Sequence, residues 1–128
     1  MFENLQIFRM SHAMATHAGA RQTVIARNMA NADTPGYAAQ DIAPFRTELE
    51  SKNTDFTPRA TRAAHLNGSL RVEHPVTGRP GANADPNGNS VSLETEMIHA
   101  VETKQQHDRA LAIYRHSLTV LRSAISRR

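Results

Sequence analysis

The stretch Asn28-Met29-Ala30-Asn31-Ala32-Asp33-Thr34-Pro35-Gly36-Tyr37 decides the fold, because it closes a long helical pattern with a tight turn. Pro35 has no backbone N–H and disfavours the α region for Thr34, so the helix is predicted to stop before this pair. Pro35 and Gly36 fit the middle of a type II turn, in which glycine supplies the positive φ. Tyr37 can then pack its ring while its hydroxyl stays in water. Taken alone, the stretch is equally typical of any helix that ends in a turn.

Residues upstream of this stretch have the apolar spacing of an amphipathic helix, which is predicted from about Leu5 to Ala32. The segment contains no proline and a single glycine, Gly19. Together with the many alanines, this glycine would permit a neighbouring helix to approach closely. One of the two apolar stripes includes Met10, Met14 and Val24 before it reaches the asparagines.

The C-terminal part of the chain carries the stronger helical pattern, from about Val91 to Ser126. Apolar positions alternate steps of four and three, as in a coiled-coil seam, with polar breaks at Lys104 and His107. The seam consists of Leu93, Met97, Ala100, Leu111, Tyr114, Leu118, Leu121 and Ile125. A flanking strip consists of Ile98, Val101, Ile113 and Val120. Because this helix has more than one apolar face, we expect other copies of the chain or related chains to cover it.

The middle of the chain has a different composition. Residues 50–90 hold four of the six prolines and four of the six glycines, together with many Ser, Thr and Asn residues, which predicts a flexible polar loop. Within it, Asn67-Gly68 is compatible with a short β-hairpin over residues 66–72. Residues 85–89 are predicted to form the turn that leads into the second helix.

Short segments on either side of this loop are predicted to belong to the helical part. Before the loop, Ile42, Phe45 and Leu49 have the spacing of a short helix that docks on the helix pair. After the loop, the candidate helix caps are Asn89, Ser90 and Ser92. Glu94 and Glu96 follow where the positive end of a helix favours acidic side chains.

The predicted fold is therefore mainly α. Long N- and C-terminal helices pair as an antiparallel coiled coil, and a polar, largely irregular segment with a short β-hairpin lies between them. Residues 1–49 and 91–128 form one module in this prediction, and residues 50–90 form the loop. Only 39% of the 128 residues are hydrophobic and 5% are aromatic, so we expect a narrow helical seam instead of a globular core.

Composition excludes several classes of function. The net charge of +3 is too small to indicate nucleic-acid binding. The chain has no cysteine, so disulfides and thiolate metal sites are absent. No stretch approaches the ~20 apolar residues of a membrane span, and the N-terminus lacks the features of a cleaved secretory signal. We therefore expect no direct insertion into a membrane.

The sequence also lacks the motifs of an enzyme. It contains no Gly-rich phosphate loop and no nucleophile elbow. His99 and Glu102 form half of an inverted zinc motif, but Thr103 stands where the second histidine is required. The histidines are expected to lie in solvent or at the edge of the seam, and the carboxylates on solvated helix surfaces. We predict no catalytic residue, no metal site and no cofactor.

Two segments of the sequence resemble the bacterial flagellar axial proteins, and among them the short rod proteins. The first is the helix end with its motif residues Asn28, Asn31, Thr34, Pro35, Gly36 and Tyr37. The second, residues 87–97, is similar to the segment that opens the C-terminal helix of this family. The resemblance covers roughly residues 1–50 and 85–128. Ala38 departs from the basic residue that often follows the tyrosine.

This resemblance implies a structural subunit of the flagellar basal-body rod, exported without a cleaved signal peptide into the periplasmic space. The implied partners are further copies of the chain, other rod proteins, the junction protein between rod and ring, and the flagellar export apparatus. The seam residues of both helices would then hold the assembly. Phe45 and Leu49 resemble a short signal for export, although a hydrophobic pair one helical turn apart explains them equally well. The competing hypothesis is a soluble coiled-coil adaptor without a flagellar role.

Overall fold

The computed structural model of the chain describes residues 2–47, 74–79 and 84–126, with side chains from residue 6 onward. Helix α1 spans Phe2–Ala30, strand β1 spans Gln40–Ile42, strand β2 spans Val76–Gly78 and helix α2 spans Leu93–Ser126. At 1.5 Å per residue the two helices are about 43 and 51 Å long. The prediction of a mainly α fold with long terminal helices is confirmed.

Helix α1 ends where the local sequence requires it to end. Its last backbone hydrogen bonds are followed by a turn in which the Tyr37 N–H donates to the Thr34 carbonyl at 3.3 Å. Gly36 has a φ of +72°, as the third position of a type II turn demands. The predicted turn at Pro35 and Gly36 is therefore confirmed.

Helix α2 begins at Leu93, two residues later than predicted. The Ser92 carbonyl accepts the Glu96 N–H at 3.0 Å, so Ser92 is the N-cap residue. The two helices run antiparallel. The end of α1 contacts the beginning of α2 through Asn28 and Glu96, and the Phe8 ring lies edge-on against Tyr114, with their centroids 5.2 Å apart.

The interface between the helices is narrow and contains few large apolar side chains. On α1 its buried residues include Ala18, Val24 and Ile25. On α2 the buried residues are Glu96, Thr103 and Ala110, which recur at intervals of seven. This spacing is the heptad period of a coiled coil, but the side chains are small or polar. On the α2 side, the core is therefore built from small and polar side chains.

A two-stranded antiparallel sheet covers one end of the helix pair. Strands β1 and β2 pair in a register that places Gln40 opposite Gly78 and Ile42 opposite Val76. The Ile42 side chain is buried, and β1 packs on α1. The prediction that Ile42 belongs to a short helix is wrong, since the described helical turn begins only at residue 45.

Three predictions are not tested by the described residues. The hairpin at residues 66–72 and the side chain of Leu49 lie outside the described residues. The division of the chain at residues 50 and 90 stays a prediction. Neither described helix has the length and apolar character needed to cross a membrane.

Candidate functional site

The motif at residues 28–37 lies at a corner of the fold where α1, β1 and α2 meet. We call this site the polar corner, defined as residues 28–41, Arg79 and residues 87–96. Asn28 is at its centre and its side chain is fully buried. Its amide nitrogen donates to the Gln40 carbonyl at 2.7 Å and to Glu96 Oε2 at 3.1 Å. Its amide oxygen accepts from the Gln40 N–H at 3.1 Å and from the Tyr37 hydroxyl at 3.3 Å.

All four hydrogen-bonding positions of the Asn28 amide are therefore occupied. Because the amide holds the backbone of β1 on one side and a carboxylate of α2 on the other, it joins three elements that are distant in sequence. A buried polar group that is fully paired in this way specifies one arrangement of its neighbours, since any shift would leave a polar atom without a partner.

Glu96 is the first of four charged side chains of alternating sign that contact one another at the polar corner. Its carboxylate is fully buried and forms an ion pair with Arg79, the residue that follows β2. Arg79 Nη2 lies 3.6 Å from Asp41 Oδ2, and Asp41 accepts two hydrogen bonds of 2.9 Å from Arg21. The expectation of a solvated Glu96 at a helix end is wrong. Its side chain turns inward because two cationic side chains and an amide compensate the buried charges.

The environment of Asp41 shifts its protonation equilibrium. Burial by itself raises the pKa of this carboxyl, but hydrogen bonds from Arg21 and from the Ile42 N–H outweigh it, and the net pKa is lowered. The hydrogen bond to Asp41 raises the pKa of Arg21. Both groups are thus held in their charged forms.

Asn89 caps the C-terminal end of α1 from the opposite side of the corner. Its fully buried amide nitrogen approaches the carbonyls of Asn31, Ala32 and Thr34 at 3.0, 2.6 and 2.9 Å. Its amide oxygen accepts the Val91 N–H at 2.8 Å. The predicted role of Asn89 as a cap of the second helix is wrong, because it satisfies carbonyls of the turn that follows the first helix instead.

Two glycines allow the two turns of the corner to touch. Gly36 and Gly88 have φ values of +72° and +79°, which side chains other than glycine rarely adopt. A Cβ on Gly88 would lie 3.5 Å from the Gly36 Cα. The Gly36 N–H donates to the Asn87 carbonyl at 3.1 Å, so the predicted turn at residues 85–89 is confirmed and packs directly on the family motif.

The remaining motif residues are more peripheral. Thr34 Oγ1 donates to Asn31 Oδ1 at 3.3 Å in an exposed position, and Asn31 Nδ2 donates to the Arg27 carbonyl of its own helix. The structure thus brings Asn28, Gly36 and Tyr37 into the corner. Pro35 lies on its exposed rim.

One histidine departs from the expectation of solvent exposure. His17 is buried, and its Nε2 lies 2.8 Å from the Ala43 carbonyl. The rings of Phe45 and His17 meet edge-on at 5.5 Å. Phe45 therefore docks on α1, as its spacing predicted.

The predicted seam residues lie at different depths. Val24 is buried, and Met14, Leu111, Leu118 and Leu121 are half-buried. Met10, Leu93, Met97, Tyr114 and Ile125 are exposed, with fractions from 40% for Tyr114 to 76% for Ile125. The buried residues of α2 are instead Glu96, Thr103 and Ala110. Every face of a helix repeats at about seven residues, so no signal in the sequence singles these three out.

The chemistry of the corner is structural. Among the described residues, no group of three or more His, Asp or Glu side chains is placed to hold a metal ion. Its hydrogen bonds and ion pairs are directed at backbone groups and at one another, which fixes the register of the helices and the path of the chain.

Sequence comparison finds relatives that share one description, "Flagellar basal body rod protein FlgB". The protein of Agrobacterium fabrum is 34% identical over 110 residues, which cover 81% of both chains. That of Cereibacter sphaeroides is 29% identical over 106 residues, covering 82% of both chains. That of Buchnera aphidicola is 27% identical over 128 residues, or 92% of this chain and 93% of the relative. No protein-family model matches the chain.

Proposed function

The chain belongs to the FlgB family of flagellar basal body rod proteins, and we propose that it is a structural subunit that polymerises through its two terminal helices to build the rod. In this role the chain catalyses no reaction. Its product is the assembled drive shaft, which transmits torque across the periplasmic space.

The observation that carries the proposal is the exposed apolar surface of α2. Leu93, Met97, Ile98, Val101, Ile113, Tyr114, Val120 and Ile125 are all between 40% and 76% exposed. A single chain has no element among its described residues that covers them. Apolar surface of this extent on one helix is typical of an interface with another protein.

The polar corner also supports the proposal, because it fixes the register of the two helices. A polymer needs every subunit to present the same surface, so the register between the helices has to be unique. Asn28 and Glu96 give this uniqueness, because sliding one helix along the other would separate a buried carboxylate from its partners. The exposed seam is then held in one orientation by groups that are themselves buried.

We propose the following partners and location. The subunits contact further copies of the chain, other rod proteins and the junction protein between rod and ring, and they reach the periplasmic space through the flagellar export apparatus. Phe45 and Leu49 are proposed as part of the signal that this apparatus reads. Because Phe45 also packs on His17, its contribution to export has to be separated from its contribution to folding.

Electron microscopy of the purified chain tests the proposal. We expect rod-like polymers to form, either with the chain alone or in mixtures with other rod proteins. Failure to form polymers in every such mixture, with the chain folded by circular dichroism, would contradict it. Deletion of the coding sequence separates this function from that of a coiled-coil adaptor, since only the rod subunit is required for motility.

A further inference from the structure

A groove runs along the helix pair on the side away from the sheet and encloses about 600 Å³. We call it the small-residue groove, and its lining consists of Ala18, Gly19, Gln22, Thr23 and Ala26 on α1 and of Thr103, Lys104 and His107 on α2. A Cβ placed on Gly19 would meet no atom within 4 Å. The groove is thus open at the position where α1 has its least bulky residue.

Thr103 lies at the floor of the groove, between the two helices. It is only 1% exposed, and its Oγ1 is buried beyond the reach of an occupant. An occupant therefore meets the side chains on the walls of the groove.

The ammonium group of Lys104 lines the groove and favours an acidic occupant. The ammonium group of Lys104 pairs with Asp108 at 3.0 Å, but both side chains are more than half exposed, so this pair is weak and readily exchanged.

One surface of the chain has the matching composition. We call it the outer strip, defined by Met97, Ile98 and Val101, which are 56–60% exposed. Two exposed carboxylates, Glu94 and Glu102, border it. The outer strip therefore presents apolar side chains with acidic groups beside them, whereas the groove presents small residues, the amide of Gln22 and a cation.

We propose that the small-residue groove receives the outer strip of a second copy of this chain. The inference rests on the proposed function and specifies the contact through which copies meet. Met97, Ile98 and Val101 occupy the space above Gly19, and a carboxylate of the incoming helix lies against the exposed ammonium group of Lys104. Because groove and strip are different surfaces, each copy offers one of each to different neighbours. Such a head-to-tail contact continues into an open polymer.

Engineered cysteines test which surfaces meet, since the chain has none of its own. A Thr23→Cys chain is mixed with a size-tagged Val101→Cys chain and oxidised, and the heterodimer is measured by gel electrophoresis. Thr119→Cys replaces Thr23→Cys as the matched control. Both threonines bond only a carbonyl of their own helix, and Thr119 lies about three turns beyond the groove.

We expect the Thr23→Cys mixture to give severalfold more heterodimer than the Thr119→Cys mixture. Equal yields from the two mixtures would overturn the inference. Preferential homodimers of the Val101→Cys chain would also overturn it, because they would show that the outer strip packs on itself.

Variants of Gly19 test the groove without cysteines. Gly19→Leu fills it and should weaken association by about tenfold or more relative to Gly19→Ala, which leaves it open. A Cβ at position 19 has no atom of the folded chain within 4 Å. Both variants should therefore keep the circular dichroism spectrum of the original chain. Equal association of the two variants in sedimentation would overturn the inference.

These results are distinguishable from failure of the proposed function. Polymers that form with equal yields of the two cross-links would contradict the groove contact alone. Cross-linking at Thr23 in a chain that never forms polymers would support the contact and contradict the rod function.

Discussion

The amide nitrogen of Asn28, at the end of the first helix, donates a 3.1 Å hydrogen bond to the carboxylate of Glu96, at the beginning of the second. Both side chains are completely buried, although 68 positions separate them in the sequence. This contact joins the two segments that resemble the family at the sequence level. The family motif therefore acts through a tertiary interaction as well as through its local turn.

Replacing this amide by a carboxylate is expected to destabilise the fold. Asn28→Asp would place a second negative charge beside Glu96 and should lower the free energy of unfolding by about 2–4 kcal/mol at neutral pH. Glu96→Gln removes the repulsion, so the double variant should be more stable than the sum of the single effects predicts. Urea unfolding of the four proteins measures this coupling. Strictly additive effects would show that the two side chains do not interact.

The cap formed by Asn89 can be tested by a change that alters only hydrogen donation. Asn89→Asp keeps the acceptor for the Val91 N–H but cannot donate to the carbonyls of the turn that follows α1. We expect it to destabilise the fold by about 2 kcal/mol, at least as much as Asn89→Ala. Asp85→Ala, at an exposed residue of the same turn whose side chain has no hydrogen bond among the described residues, is the control and should cost less. Unfolding in urea compares them, and an Asp variant as stable as the original would contradict the cap.

The left-handed conformation of Gly36 predicts a graded response to substitution. Gly36→Ala should destabilise the fold by about 1–2 kcal/mol, because a Cβ is unfavourable at this positive φ. Gly36→Asn should cost less, since asparagine adopts this conformation more readily. Gly19→Ala, inside α1, should instead stabilise by about 0.5–1 kcal/mol. Thermal unfolding ranks the variants, and equal effects at the two glycines would argue against the turn.

The ion pair of Asp41 makes stability depend on pH in the acid range. Since its folded-state pKa is lowered, the stabilisation is complete above the ordinary aspartate pKa of about 4 and is lost as the pH falls through the folded-state value. The difference in unfolding free energy between the original chain and Asp41→Asn should therefore shrink as the pH falls below about 4. Glu94→Gln, at an exposed carboxylate, should show little such change. A constant difference for Asp41→Asn would contradict the assignment.

The proposed export signal is tested by Phe45→Ala in a secretion assay. We expect secretion to fall while the folded fraction of the purified variant, measured by circular dichroism, changes little. Thr47→Ala, at an exposed residue of the same helical turn, is the control. Normal secretion of the Phe45 variant would exclude the signal. Loss of folding together with secretion would assign Phe45 to its contact with His17 instead.

Local chemistry in the sequence was sufficient for the outline of this fold. The end of α1 follows from the steric restrictions of Pro35 and Gly36, which act on adjacent residues in any context. The extent of α2 follows from its apolar periodicity and the absence of proline and glycine. The exposed apolar face of α2 could also be predicted, because this helix has more apolar surface than α1 can cover.

Which residues form the helix interface and the polar corner could not be predicted from the sequence and is seen only in the tertiary structure. Hydrophobic periodicity predicts that large apolar residues lie inside, whereas Glu96, Thr103 and Ala110 face α1. A charged side chain such as Glu96 is buried only when Asn28 and Arg79 are present to compensate it. Those partners come from distant parts of the chain. The sequence by itself determined where the helices begin and end to within about three residues, because those signals are local. Only the tertiary structure decided which faces meet, because the free energy of burying a polar group depends on partners that folding brings together.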